Sequence, residues 1–258
     1  MANIYFRHAF LAASTTRTIA ELSAGRFILG LGMSHRSMLS SLGIDMGDAR
    51  ATLKNYVKSV RDGIRGEAGT GILKQPASRY PAPVYVAGNT VESAAIAGAV
   101  GDGLMPFLTP VSHLPRLLTA ANNARAEANR ESEAFGCILS IPTFVSEDEA
   151  AARSAARYNL AFFAQLPNYR RQWRRAGFKT AMDSLQEMLK TGTRREAATQ
   201  IPDELIDEVC VFGSPDHCRR QLQAFRDAGA DVPLLAVSPV NEDRLVATRK
   251  AITALAPE

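Results

Sequence analysis

The chain has 258 residues, with 30 Lys and Arg against 26 Asp and Glu, and 46% of its residues are hydrophobic. That length can bury one substantial core, and no run approaches the roughly 18 apolar residues a membrane span needs. The formal charge of +4 is spread along helical stretches without an interleaved basic and aromatic motif, so neither nucleic acid nor a membrane is an expected partner.

The opening MANIYFRHAFLAASTTRT has an apolar patch, FLAA, too brief for the core of a signal peptide, and cytoplasmic residence is expected. Cys137, Cys210 and Cys218 form no C-x-x-C pair, and His8, His35, His113 and His217 lack ligand spacing. Neither a disulfide nor a metal site is expected.

Apolar positions at helical spacing (Phe10, Ala13, Ile19, Leu22) predict a helix over 9–22, stopped by Ser23, Ala24 and Gly25. RFILGLG follows as a strand over 26–32. Leu53, Tyr56, Val57, Val60 and Ile64 predict a second helix over 49–65, ended by Gly66. The glycines and prolines of GEAGTGILKQPASRYPAP, residues 66–83, predict a loop.

PVYVAG is a strand over 83–88, and VESAAIAGAVG behind it is a helix of small residues able to pack closely on a sheet. A strand over 103–108 and the helix LPRLLTAANNARAEAN come next, then a strand over 137–145. Ser146 and Glu149 match a capping box that opens a long helix from Glu147. Between 165 and 210 the text turns helical and charged, which is the pattern of an inserted helical segment. Ser214, Pro215 and Gly229 then frame another helix, and DVPLLAVSP gives a last strand over 232–238. Five strands alternating with helices predict an α/β fold with a parallel sheet.

In chain order, ELSAGRFILGLGMSH, PVYVAGNTVESAAIAGAVGDG, IPTFVSEDEAAARSAARY with QLPNYR, and FGSPDHCRRQLQAFRDAGAD resemble the bacterial luciferase-like flavin and deazaflavin oxidoreductases. GLGMSH and FAQLPNYR are most similar to the actinobacterial F420-dependent branch. The resemblance runs from about residue 7 to 239. It implies a TIM (β/α)8 barrel with a helical insertion before the last strand, binding F420 or FMN at the carboxyl-terminal mouth. On that footing RFILGLG is the fourth strand, 1–258 is one barrel domain with 165–210 as its insertion, and the expectation is an incomplete barrel that lacks its amino-terminal quarter.

Two stretches then carry the chemistry. Gly30 and Gly32, with Met33, Ser34 and His35 behind them, lie at a strand end where bare backbone lets a planar ring approach. His35 is the candidate catalytic residue, as a proton donor or a hydrogen-bond partner of a substrate carbonyl. Ala87, Gly88, Asn89 and Thr90 join a strand end to a helix start, where backbone amides and the threonine hydroxyl could hold a cofactor phosphate. The family often has Gly-Pro where this chain has Thr90 and Val91.

Asp102 and Gly103 read as structural, with Gly103 allowing close helix and sheet packing. Arg170, Arg171, Arg174 and Arg175 read as a solvated basic face, with contact to the acidic tail of F420 as the functional alternative. The resemblance implies an oxidoreductase that transfers a hydride between F420 and a small organic substrate. The alternatives are an FMN-dependent monooxygenase, and a cofactor-poor barrel fragment that binds a partner or has no function. A homodimer is expected, with the helices near 53–64 and in the insertion as candidate interfaces.

Overall fold

A computed structural model describes residues 1–67, 74 and 76–256. Part of the loop expected over 66–83 thus lies outside the described residues. The chain forms two compact units, one of residues 1–105 and 116–137 and the other of 106–115 and 138–258.

In the first unit the order is β1 (Ala2–Asn3), α1 (Ala9–Leu22), β2 (Leu29–Gly32), α2 (Arg36–Ser41), α3 (Ala49–Ile64), β3 (Val84–Ala87), α4 (Val91–Val100) and β4 (Gly103–Met105). Helix α5 (Leu114–Glu127) and the start of β5 (Gly136–Val145) complete it. Each strand pairs in parallel with the next: Ala2 faces Leu31, Leu29 faces Val84, Tyr85 faces Gly103, and Gly103 faces Gly136.

Strand alternation sends Leu29, Leu31, Val84, Val86 and Leu104 to one face. There they join Leu53, Val57, Val60 and Ile64 of α3 and Ala13 and Ala20 of α1 in one core. Each such aliphatic side chain, fully buried, contributes about 1.5–3 kcal/mol. The apolar stripe of α3 is therefore packed inside the unit. The small residues of α4 serve another helix: a Cβ at Gly98 would run into the Ala121 carbonyl of α5.

The second unit holds the rest of β5, then α6 (Glu149–Ala164), α7 (Pro167–Arg175), α8 (Lys179–Thr191), α9 (Arg194–Ala198), α10 (Asp203–Val209), β6 (Val211–Gly213), α11 (Pro215–Asp227), β7 (Val232–Val237) and α12 (Arg244–Leu255). β5 pairs in parallel with β6 through Thr143 and Val211 and with β7 through Ile138 and Val232. Trp173, fully buried, anchors the core; its Nε1 donates to the Leu108 carbonyl at 3.0 Å.

The α/β fold with parallel strands is as expected, but the described residues hold seven strands rather than five. β1 and β6 are only 2 and 3 residues long, too short for alternation to register. The long helix starts at Glu149, not Glu147, because Asp148 is its N-cap and accepts from the Ala151 amide. Ser146 accepts one step earlier, from the Asp148 amide. Gly103 makes room for the Tyr85 ring and the Gly136 carbonyl, not for a helix. Asp102 is structural: it accepts from the Val84 amide at 2.9 Å and pairs with Arg61 at 2.7 Å. No described helix is long and apolar enough to cross a membrane.

Candidate functional site

The carboxyl ends of β2 and β3 lie side by side in the first unit. Gly32 follows the paired residues Leu31 and Val86, and a Cβ on it would lie 3.2 Å from that of Ala87. The segments Gly32–His35 and Ala87–Thr90 thus leave the sheet side by side.

Because Leu29 and Leu31 take the core face, Gly30 and Gly32 present bare backbone on the other. Two methionines cover it. A Cβ at Gly32 would come 2.6 Å from Met1 Sδ, and one at Gly30 would come 3.1 Å from Met105 Sδ. Met1 is 77% exposed, so its flexible side chain yields easily. Thioethers are polarisable and form favourable contacts with aromatic rings.

Beyond Gly32, Met33 is partly buried against the core. Ser34 adopts φ +65° and donates from Oγ to Met38 Sδ at 3.3 Å. This left-handed conformation is rare for a non-glycine residue and turns the chain sharply into α2. His35 sits at the N-cap of α2 without a side-chain capping bond. Burial lowers its pKa from 6.5, because a less hydrated imidazole holds its charge at greater cost. At neutral pH it is therefore an uncharged imidazole that donates or accepts a hydrogen bond. The neutral ring keeps one N–H to donate and one nitrogen to accept.

At the other strand end Thr90 is the N-cap of α4 in a complete capping box: the Ser93 amide donates to Thr90 Oγ1 at 3.2 Å and the Thr90 amide to Ser93 Oγ at 3.1 Å. Ser93 Oγ in turn donates to the Thr90 carbonyl at 3.0 Å. The box withdraws the Thr90 amide from the expected phosphate donors. It also engages the Thr90 hydroxyl, whose Oγ1 lies 3.1 Å from Ser93 Oγ and, with the Ser93 proton given to the carbonyl, is the donor there, and it leaves the Val91 amide at the helix start. Gly88 is required by the same box, since a Cβ there would lie 2.7 Å from Ser93 Cβ. Asn89 precedes the cap. Glu92 places a carboxylate in the first turn, 3.8 Å from Arg50. Arg50 offsets part of the charge an anionic ligand would meet there.

The sequence reading missed Met1, Met105, Ser93 and Glu92. Ser93 had a visible signal, a hydroxyl residue three positions after Thr90, where a capping partner belongs. A cavity of about 310 Å³ on this unit includes Gly30 but none of the other candidate residues. The insertion arginines are already engaged in part: Arg174 pairs with Asp183 at 2.7 Å and donates to Gln186 at 3.0 Å, and Arg170 donates to the Ala164 carbonyl. Among the described residues no group of three or more His, Cys, Asp or Glu could hold a metal ion.

The family model for luciferase-like monooxygenase matches residues 1–232. A Mycobacterium tuberculosis protein, provisionally assigned as a coenzyme F420-dependent oxidoreductase, is 26% identical over 90% of this chain and 76% of its own length. The 5,10-methylenetetrahydromethanopterin reductase of Methanolobus tindarius is 24% identical over 95% and 77%. Among solved structures, the coenzyme F420-dependent tetrahydromethanopterin reductase of Methanopyrus kandleri superposes with a TM-score of 0.76 at 17% identity, covering 97% of this chain and 79% of that one. The match begins at residue 1 and relatives cover 90–95% of the chain, so the expected loss of an amino-terminal quarter is not borne out. The chain belongs to the luciferase-like monooxygenase family.

Proposed function

We propose that this protein is an oxidoreductase that transfers a hydride between coenzyme F420 and a small organic substrate, with the cofactor held at the carboxyl ends of β2 and β3. The observation that carries the reading is the pairing, in one parallel ladder, of a glycine-bare strand end with the start of α4. The relative from Mycobacterium tuberculosis, F420-dependent by name, supports the F420 reading.

The residues present fit such a group. Gly30 and Gly32 offer flat backbone, and Met1 and Met105 are soft apolar covers that give way to a planar ring. The Val91 amide at the start of α4 suits a phosphate, aided by the helix dipole. Met33 and Ser34 set the turn that brings His35 to the same strand end, where its neutral ring can bond a substrate carbonyl. Ala87, Gly88 and Asn89 hold the path from β3 to the cap. When bound, F420 supplies the hydride chemistry, while the protein orients and desolvates.

An FMN-dependent monooxygenase is the second reading, favoured by the family model itself. Separate absorbance and fluorescence titrations of the monodisperse protein with F420 and FMN divide them. Saturable binding of F420 alone supports the proposal. FMN alone moves the assignment to the flavin reading, and binding of neither leaves a protein that serves as a binding or subunit module.

A further inference from the structure

The second unit carries a cavity that the cofactor reading does not use. It has a volume of about 360 Å³ and is lined by Phe144, Tyr158, Asn159, Phe162, Arg194 and Ser238, among others. A wider groove of about 780 Å³, which includes Arg195, opens beside it and shares Tyr158.

Three features of its wall are unusual together. Tyr158 and Phe162 stand one helical turn apart on α6 and are 45% and 49% exposed, so two aromatic rings face open space. The Arg194 guanidinium lies 3.8 Å from the Tyr158 ring centroid and 5.6 Å from that of Phe162. Among the described residues, neither Arg194 nor Arg195 has a carboxylate within 4 Å, although nearby Arg153 and Arg157 are both ion-paired. Asn159 Oδ1 is buried and accepts no hydrogen bond. An unmet buried acceptor forgoes the hydrogen bond it had in water, so the site is incomplete as it stands.

We infer that this cavity binds a planar aromatic acid. Its ring lies against Tyr158 and Phe162, its carboxylate or phosphate meets Arg194, and a hydroxyl or N–H group on the ring donates to Asn159 Oδ1. Arginine is suited to both tasks, since its planar fork pairs with an acid while its face stays on the tyrosine ring. This inference does not rest on the F420 reading: every residue it uses lies in the second unit.

Calorimetric titration of the whole chain at low ionic strength with 6-hydroxy-2-naphthoate tests it. The methyl ester of the probe removes the charge, and Arg220→Gln, on an exposed helix position, controls for net charge. The expected result is saturable one-site binding of the acid, weakened tenfold or more by Arg194→Gln and by Tyr158→Leu. Arg220→Gln should leave it unchanged, and the ester should bind at least tenfold more weakly. The 2-naphthoate analogue, which lacks the hydroxyl, should lose affinity in wild type but show little further loss in Asn159→Leu. Absence of saturable binding, equal binding of acid and ester, or an Arg194→Gln protein that binds as wild type would overturn the assignment. All of the variants alter partly exposed side chains, and an unchanged thermal transition confirms their fold.

Discussion

His35 has a titration set by burial. Its folded pKa lies below the value of 6.5 it has when exposed, so the folded state binds fewer protons near pH 6. Its contribution to stability is present above 6.5 and falls away as the pH drops through that value and then through the folded pKa. A nitrogen-detected NMR titration should place the His35 midpoint below 6.5; a midpoint at or above it would contradict the assigned burial. Gly98 is a purely steric case. Alanine there must push α4 and α5 apart at the Ala121 backbone, and a thermal melt of Gly98→Ala should show a loss of about 1–3 kcal/mol. Single residues were the least legible level of the sequence. Gly30 and Gly32 were readable as bare backbone, because leucines alternate with them. That Met1 and Met105 lie over them was not, since those side chains arrive from the residue before β1 and from β4, both distant in the chain.

Among elements, α4 carries the most argument. Its capping box holds the loop after β3, and Thr90→Ala should cost about 1 kcal/mol of stability while also weakening F420 binding by several-fold. Thr90→Ser should restore both. If Thr90→Ala binds cofactor as wild type, the helix start is not part of the site.

The opposite end of α4 is tied by Arg61, Asp102, Arg130 and Glu133. Arg130 donates to the Gly98 and Gly101 carbonyls and reaches Glu133 at 2.7 Å. The Arg130 hydrogen bond, helped by Arg61, holds the Glu133 carboxyl at about 2, against 4.5 in the open chain. A depressed carboxylate contributes stability that is present above about pH 4.5 and is lost as the pH falls toward 2. Glu133 is 40% exposed, so solvent reduces the effect. Denaturation midpoints between pH 6 and 2.5 should fall less steeply for Glu133→Gln than for wild type, and identical slopes would show that the ion pairs carry no weight.

Elements with strong periodicity were legible to within a residue or two, as α1 and α3 show. The sharp turn at Ser34 that leads into α2, and the six-residue length of α2 itself, left no pattern to read. Helix α12, weakly amphipathic at the end of the chain, escaped for the same reason.

At the scale of the molecule, four segments in family order conveyed the fold class, because strand and helix alternation survives even where single strands are short. The groove of the second unit was illegible by contrast. Tyr158 and Phe162 on α6 meet Arg194 only after the chain passes through α7 and α8, and no local pattern announces such a meeting. The central claim concerns the first unit, where a cofactor belongs at the ends of β2 and β3. Hydrogen exchange with and without saturating F420 tests it most directly. The account predicts slowed exchange concentrated in Met33–His35 and in the amides from Gly88 to Glu92. Protection confined to other segments, or none at saturation, would contradict it.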